Sequence, residues 1–150
     1  MIEQELLDEI RNVTSSGEIF EMHDYEASST LGLIQDTFID PLSGQWWWEN
    51  LRGESVTIQY GDNDGLSVVS DLVGRAGSVF LVPTDDENPP WPIFIGHIEK
   101  IIDLLRELRF FEYFITDKNN TWIVFDTHHN TLVVSGILLD RAKEINTSLS

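Results

Sequence analysis

The chain has 150 residues and a formal net charge of −17, from 26 acidic and nine basic side chains. This length, with 41% hydrophobic residues, is typical of one folded domain and argues against intrinsic disorder. The lack of cysteine excludes disulfides, thiolate zinc sites and cysteine nucleophiles, and the acidity argues against binding to nucleic acid or to an anionic membrane.

The N-terminal stretch MIEQELLDEI is acidic and has the apolar stripe of an amphipathic helix, which we predict over 2–14. It lacks the basic segment followed by an apolar segment that marks a secretory signal. No apolar run approaches the roughly 20 residues of a membrane span. We therefore expect a cytoplasmic protein.

Residues 18–27 are ambiguous, because their apolar residues Ile19, Phe20, Met22 and Tyr25 could belong to a strand or to a short helix. Ser28, Ser29 or Thr30 then supplies a cap for a second helix that carries Leu31 and later apolar residues. A Pro-Ser-Gly segment follows this helix and ends it.

Three consecutive tryptophans, Trp46, Trp47 and Trp48, form the most unusual composition in the chain. A short helix would pair Trp47 with Leu51 and leave Trp46 or Trp48 near the surface. One interpretation is a partner anchor, since tryptophan is enriched at binding hot spots. The other is that two indoles cover the core while one lies flat on the surface, since indole is rarely fully buried.

The segment GDNDG follows a predicted strand over 55–60 and resembles the start of a calcium-binding loop. Tyr60 would occupy the first ligand position, which excludes that site. The same residues have the composition of a turn, so we predict that Asp64 caps a helix from Gly65 to about Val73.

Asp85, Asp86 and Glu87 form the acidic part of a polar segment that ends in two prolines. Its structural interpretation is a solvated connection between strands. Its functional interpretation is a docking site for lysine or arginine side chains of a partner.

The clearest periodicity lies within 91–136, where apolar residues recur at helical spacing from Ile98 to Leu108. This pattern predicts an amphipathic helix over 97–109 with Gly96 as its N-cap. Two later apolar runs flank the polar centre DTHHNT and predict a β-hairpin. Asn130 tolerates a positive φ angle, so a turn accounts for this centre without any chemistry.

On a continuous strand, Asp126 and His128 would share one face and His129 would point to the other. The first two could hold two positions of a metal, with His97 or His23 as a third, but no spacing supports that third ligand. The sequence also lacks the GxSxG, Walker and dinucleotide-binding motifs. We therefore predict no metal, no cofactor and no catalytic residues.

Together these elements predict one α+β domain over 1–150, with a mostly antiparallel sheet covered on one face by helices 2–14 and 97–109. Residues 137–150 have weak helical character and are expected to fray as a C-terminal tail. The predicted strands are 55–60, 78–82, 93–95, 110–116, 121–126 and 131–135.

The elements WPIF, the amphipathic helix, FFEYFI, WIVFDTHHN and WWWENL resemble a family of small, acidic, uncharacterised bacterial proteins over about two-thirds of the chain. More loosely, the size, acidity and α+β pattern are similar to bacterial immunity proteins that neutralise toxins, including the SMI1/KNR4-like superfamily. The Leu-Pro segment usual in that superfamily does not occur here. The resemblance implies, by class alone, a protein that blocks a toxin.

We expect a non-enzymatic binding protein, most concretely an immunity protein or antitoxin that covers a basic toxin domain such as a nuclease. The alternatives are a metal-dependent hydrolase centred on Asp126, His128 and His129, and an acidic regulatory or scaffold subunit. The predicted contact residues for a basic protein partner are Trp46, Trp48, Asp85, Asp86, Glu87, His128 and His129.

Overall fold

A seven-stranded antiparallel sheet is the central element of the computed structural model, which describes residues 4–14, 17–41, 46–74, 77–85 and 88–149. The strands are β1 (Ile19–Glu21), β2 (Ser55–Gln59), β3 (Ser78–Pro83), β4 (Phe94–His97), β5 (Tyr113–Asp117), β6 (Trp122–Asp126) and β7 (Thr131–Gly136). Their order across the sheet is β1-β4-β3-β5-β6-β7-β2. The α+β class predicted from the sequence is confirmed.

Five α-helices and one 3₁₀ helix accompany the sheet in the described residues. They are α1 (Gln4–Val13), α2 (Asp24–Phe38), the 3₁₀ helix Trp47–Glu49, α3 (Gly65–Val73), α4 (Ile98–Glu107) and α5 (Leu139–Leu149). None of these helices, over the ranges described, has the length and apolar character needed to cross a membrane.

Helix α4 confirms the predicted amphipathic pattern, because its apolar stripe is buried against β3 and β4. Its N-cap is His97, whose Nδ1 accepts the Glu99 backbone N–H at 3.3 Å. The prediction of Gly96 as the cap is wrong, since Gly96 lies inside β4. A Cβ at Gly96 would come within 2.9 Å of Ile19 Cγ1, so the close pairing of β4 with β1 favours glycine there.

Asp64 caps α3, as the turn composition predicted, and its Oδ1 accepts the backbone N–H of Leu66 at 3.1 Å. Oδ2 of the same carboxylate accepts from Arg106 of α4 at 2.9 Å. Its hydrogen bonds to Ser67 and Arg106 lower the pKa of Asp64 below the ordinary value for aspartate. One exposed carboxylate therefore both starts α3 and ties it to α4.

Several predicted boundaries differ from those observed. The predicted strand 110–116 begins only at Tyr113, and α2 begins at Asp24, ahead of the predicted caps. The ambiguous segment 18–27 contains β1 followed by the first turn of α2. The C-terminal segment, for which fraying was expected, packs as α5 against β2 and β7 through the buried Ala142.

Alternation along the strands gives the sheet two different faces. Tyr113 and Asp126 point to the helix face, the side on which α3 and α4 pack. Phe114 and Phe125 point to the tryptophan face, where Trp47 lies 6.0 Å from the Phe114 ring centroid. Both candidate sites described below lie at the end of the sheet where β5 begins and β6 ends.

Candidate functional site

The 3₁₀ helix brings the three tryptophans to the tryptophan face. Trp47 is only 5% exposed and contacts Trp91 edge to face, with ring centroids 4.8 Å apart. Trp48 is partly buried and packs against the core. Trp46 is partly buried beside it, with the two ring centroids 6.0 Å apart. Two of the three indoles therefore pack on the core, as one interpretation of the sequence predicted.

The β6–β7 turn places both histidine rings against these indoles. The centroid of His128 lies 5.7 Å from that of Trp46 and 6.1 Å from that of Trp48. His129 lies 5.8 Å from Trp48 and 3.9 Å from His128. These four residues, Trp46, Trp48, His128 and His129, are called the Trp–His surface below.

The turn itself is held by hydrogen bonds across its base. Thr127 and Thr131 share a hydrogen bond between their hydroxyl oxygens at 2.7 Å, and the Thr127 hydroxyl also accepts the His129 backbone N–H at 3.2 Å. Asn130 has a φ of 56°, which its short polar side chain tolerates. The predicted hairpin is confirmed, and its turn geometry sets the positions of both imidazoles.

A buried carboxylate lies beneath the Trp–His surface. Glu112 is 4% exposed, and its Oε2 accepts the His128 backbone N–H at 2.7 Å and bonds the His128 Nδ1 at 2.5 Å. Its backbone oxygen accepts the N–H groups of Thr84 and Asp85 at 2.9 and 3.0 Å. Glu112 thus joins the start of the acidic segment to the histidine turn.

The structure therefore brings together predicted site residues from distant parts of the chain. The four members of the Trp–His surface contact one another, and Asp85 adjoins them through Glu112. Asp86 and Glu87, also predicted as contacts, lie outside the described residues. The sequence reasoning did not select Glu112, although an acid inside the apolar run FFEYFI is itself a signal of a buried carboxylate.

Asp126 is separated from the histidines by the sheet. Its Oδ1 accepts the Tyr60 hydroxyl and its Oδ2 accepts the Tyr113 hydroxyl, both at 2.7 Å. The arrangement expected on a continuous strand, with Asp126 and His128 on one face and His129 on the other, does not occur, because β6 ends at Asp126 and the turn brings the two imidazole rings together. In the described parts of the chain, no group of three or more His, Asp or Glu residues is arranged to hold a metal ion.

Burial dominates the electrostatics on the helix face. Asp126 is 4% exposed, and this desolvation raises its pKa to about 6 despite the two phenol hydrogen bonds, which act in the opposite direction. Burial, with a smaller effect from the Asp126 charge, also raises the pKa of Tyr60 and of Tyr113. Both phenols therefore stay protonated and donate to the carboxylate at neutral pH.

Next to Asp126 is a cavity of about 430 Å³ between α3, α4 and the start of β5. Leu105, Phe111 and Tyr113 line it together with Asp126, and all four are buried. Neither Tyr60 nor Tyr113 was predicted as a site residue, because each is separated from Asp126 in sequence and reads as an ordinary strand or turn residue.

Comparison with known protein families assigns the chain to one of them. The model described as "Family of unknown function (DUF6756)" matches residues 4–146. The chain belongs to this family. Comparisons with curated proteins and with solved structures give no match. Membership of an uncharacterised family, which the sequence resemblance implied, is thereby confirmed.

Proposed function

We propose that this protein is a non-enzymatic binding protein that blocks a basic protein partner through its Trp–His surface. The supporting observation is the meeting of Trp46 and Trp48 with His128 and His129 in one partly exposed aromatic surface. The tryptophans precede β2 and the histidines follow β6, so the two pairs are far apart in the sequence and meet only in the complete fold.

The chemistry of this surface suits arginine and lysine side chains. Indole is the aromatic ring that binds cations most strongly through its face. Glu49, which is exposed, directly follows Trp48 and adds a negative charge at the edge.

The net charge of −17 supports a basic partner over other proteins. A field of this sign speeds the encounter with a positively charged protein and repels acidic ones. Buried contacts beneath the surface, chiefly Trp47 and Glu112, hold it in one conformation, which lowers the entropy lost on binding.

More specifically, we propose an immunity protein or antitoxin of a bacterial cytoplasm, whose partner is a basic toxin domain. The loose resemblance to immunity proteins in size, acidity and α+β pattern supports this at the level of class. The acidic segment that begins at Asp85 adjoins the surface through Glu112 and would extend the contact.

The test is affinity capture from a lysate of the source cells at about 50 and about 500 mM salt, with mass-spectrometric identification. The bait is the parent protein, the double variant Trp46→Ala/Trp48→Ala, or the control Tyr25→Ala, which removes an 85% exposed ring elsewhere on α2. We expect the parent and the control to capture the same basic protein at low salt. The double variant should fail to capture it.

Binding would then be measured with the purified partner by calorimetry. We expect the double variant to bind at least about a hundredfold more weakly, since anchor residues each contribute 2 kcal/mol or more. Retention of the partner by the double variant, or capture only of acidic proteins, would contradict the proposal. Protection of cells from the partner's toxicity by co-expression would support the immunity function specifically.

A further inference from the structure

The cavity on the helix face lies on the opposite side of the sheet from the Trp–His surface and has no part in the function proposed above. Its volume of about 430 Å³ lies within the range of small-molecule sites. Leucine and phenylalanine side chains form most of its walls. Such a cavity suits a ligand with an apolar body.

The inner end of the cavity offers hydrogen-bond acceptors. Asp126 and Tyr113 line it and are 4% and 3% exposed. The Tyr113 hydroxyl donates its only hydrogen to Asp126 Oδ2, so its oxygen can only accept further hydrogen bonds. The carboxylate has further lone pairs, because each oxygen accepts a single hydrogen bond from the two phenols. A ligand group that binds at this inner end must therefore be a hydrogen-bond donor.

Within the described ranges, Asp126 also lacks a positively charged partner. Among the described residues it forms hydrogen bonds to phenols and no ion pair with lysine, arginine or histidine. A buried carboxylate without a cation costs stability, and such groups are concentrated at functional sites. An ammonium group would supply both the donor and the missing charge.

The outer end of the cavity has the opposite character. Arg106 and Arg109 line its rim, where both side chains are exposed, together with Phe110, which is 50% exposed. Arg106 is held in place by Asp64. A guanidinium has five N–H donors, so each arginine can bind a carboxylate in addition to its neighbours in the protein.

We propose that this cavity binds a small zwitterion whose ammonium and carboxylate groups lie at opposite ends of an apolar body. The ammonium contacts Asp126 at the buried end, the body packs on Leu105 and Phe111, and the carboxylate contacts Arg109 at the rim. This separation of charge in the ligand matches the separation of acceptors and donors along the cavity.

Three probes of one shape test the proposal: 4-(aminomethyl)benzoate, benzylamine and benzoate. Each is titrated to about 10 mM, where even a ligand with a millimolar Kd saturates its site, while backbone amide signals are followed by NMR. We expect saturable shifts at Leu105, Phe111 and Tyr113, with the zwitterion tightest and benzoate weakest. Saturation by none of the three probes, or tightest binding of benzoate, would overturn the proposal.

Variants assign the two ends of the ligand. Asp126→Asn should weaken the zwitterion and benzylamine about tenfold or more, the effect of one buried charge pair. Arg109→Gln should weaken the zwitterion and leave benzylamine unchanged. Asp103→Asn removes an exposed charge from α4 outside the cavity and is the control. Equal affinities of the parent and Asp126→Asn for benzylamine would refute the inner contact.

A measurement on the parent protein does not depend on how the variants fold. The carboxyl carbon signal of Asp126 reports its pKa with and without benzylamine. The charged or titratable groups around it are Tyr60 after β2, Tyr113 on β5, Arg106 on α4 and Arg109 just after α4. Bound ammonium should lower the pKa of Asp126 by at least about one unit, and an unchanged pKa at saturation would contradict the contact.

Discussion

The Trp–His surface and the helix-face cavity are built around two buried carboxylates at the same end of the sheet. Glu112 and Asp126 are each 4% exposed, yet their partners differ. Glu112 binds a backbone N–H and an imidazole, whereas Asp126 binds two phenols and, among the described residues, no cation. Glu112 directly precedes Tyr113, the first residue of β5, and Tyr113 pairs with Asp126 of β6. Because consecutive residues of an extended chain point to opposite faces, the two carboxylates lie on opposite sides of the sheet, one under the aromatic surface and one in the cavity.

The difference between the two carboxylates explains how the same end of the sheet can carry two kinds of site, one on each face. On the tryptophan face the carboxylate supports a turn, and its role is to position rings for an external partner. On the helix face the carboxylate lines a cavity of about 430 Å³. The following changes affect one face at a time, in order from the largest expected effect to the smallest.

Trp47→Ala should have the largest effect, because Trp47 fills the space beneath the Trp–His surface against Trp91 and Phe114. Loss of a buried tryptophan side chain costs about 3–5 kcal/mol, a large fraction of a typical stability of 5–15 kcal/mol. Urea unfolding measures the loss. Trp46→Ala, which removes a partly exposed ring, should cost about 1 kcal/mol or less, and equal losses would disprove the difference in burial.

Asp126→Asn should change the pH dependence of stability. The pKa of Asp126 is about 6 in the folded protein and 3.8 for an exposed aspartate. The folded state therefore binds this proton more tightly, and the free energy of unfolding falls as pH rises from about 4 through 6. The full loss above pH 6 is roughly 3 kcal/mol.

The variant cannot titrate at this position and keeps the shape of the side chain, with one oxygen acceptor and an NH2 donor in place of the two carboxylate oxygens. Urea unfolding of both proteins between about pH 4 and pH 7.5 gives the comparison. We expect the variant to gain roughly 3 kcal/mol relative to the parent over this range. Parallel pH profiles for the two proteins would show that Asp126 is not the group responsible.

Gly65→Ala should disturb the helix face alone. A Cβ at Gly65 would lie 2.7 Å from Cζ of the Tyr60 ring, which must then move away from Asp126. Such overpacking costs about 1–3 kcal/mol. Gly32→Ala in α2 is the matched control, since its Cβ would meet open space and alanine favours a helix by about 1 kcal/mol.

Amide NMR distinguishes a local change from a general one. Shifts in Gly65→Ala should be confined to Tyr60, Tyr113 and Asp126, with the indole signals of Trp46 and Trp48 unchanged. Movement of the indole signals would mean that the two faces are coupled through the sheet.

Glu112→Gln should give the smallest effect and touch only the tryptophan face. Glutamine keeps an acceptor for the His128 backbone N–H but loses the charge, so we expect a loss of about 1 kcal/mol. Tryptophan fluorescence should change with it, because His128 contacts both partly exposed indoles. Glu107→Gln, an exposed acid on α4, should leave both readouts unchanged.

Local signals made part of this structure predictable. The period from Ile98 to Leu108 gave α4, and the turn composition gave the Asp64 cap, because each depends on contacts within a few residues. The boundary errors have the same origin. Phe110 is of a residue type common in strands, yet it precedes β5 and is 50% exposed at the cavity rim.

The sites required information that no local pattern contains. Trp48 precedes β2 and His129 follows β6, so they are far apart in sequence and meet only in the complete fold. Tyr60 approaches Asp126 because β2 pairs with β7, which places the end of β2 beside the β6–β7 turn. The sequence predicted a turn at the histidines, but the directions of their side chains could be stated only for a continuous strand, and the turn that begins at Thr127 changes those directions.

The strand order also has a consequence for synthesis on the ribosome. β5, β6 and β7 follow one another through short turns and can pair as soon as they emerge. β2 pairs with β7, and β1 pairs with β4, so both edge strands are made long before their neighbours. A nascent chain that stops before Thr131 therefore exposes β2 and should be cut readily by protease, and the sheet can close only when its last strand has been translated.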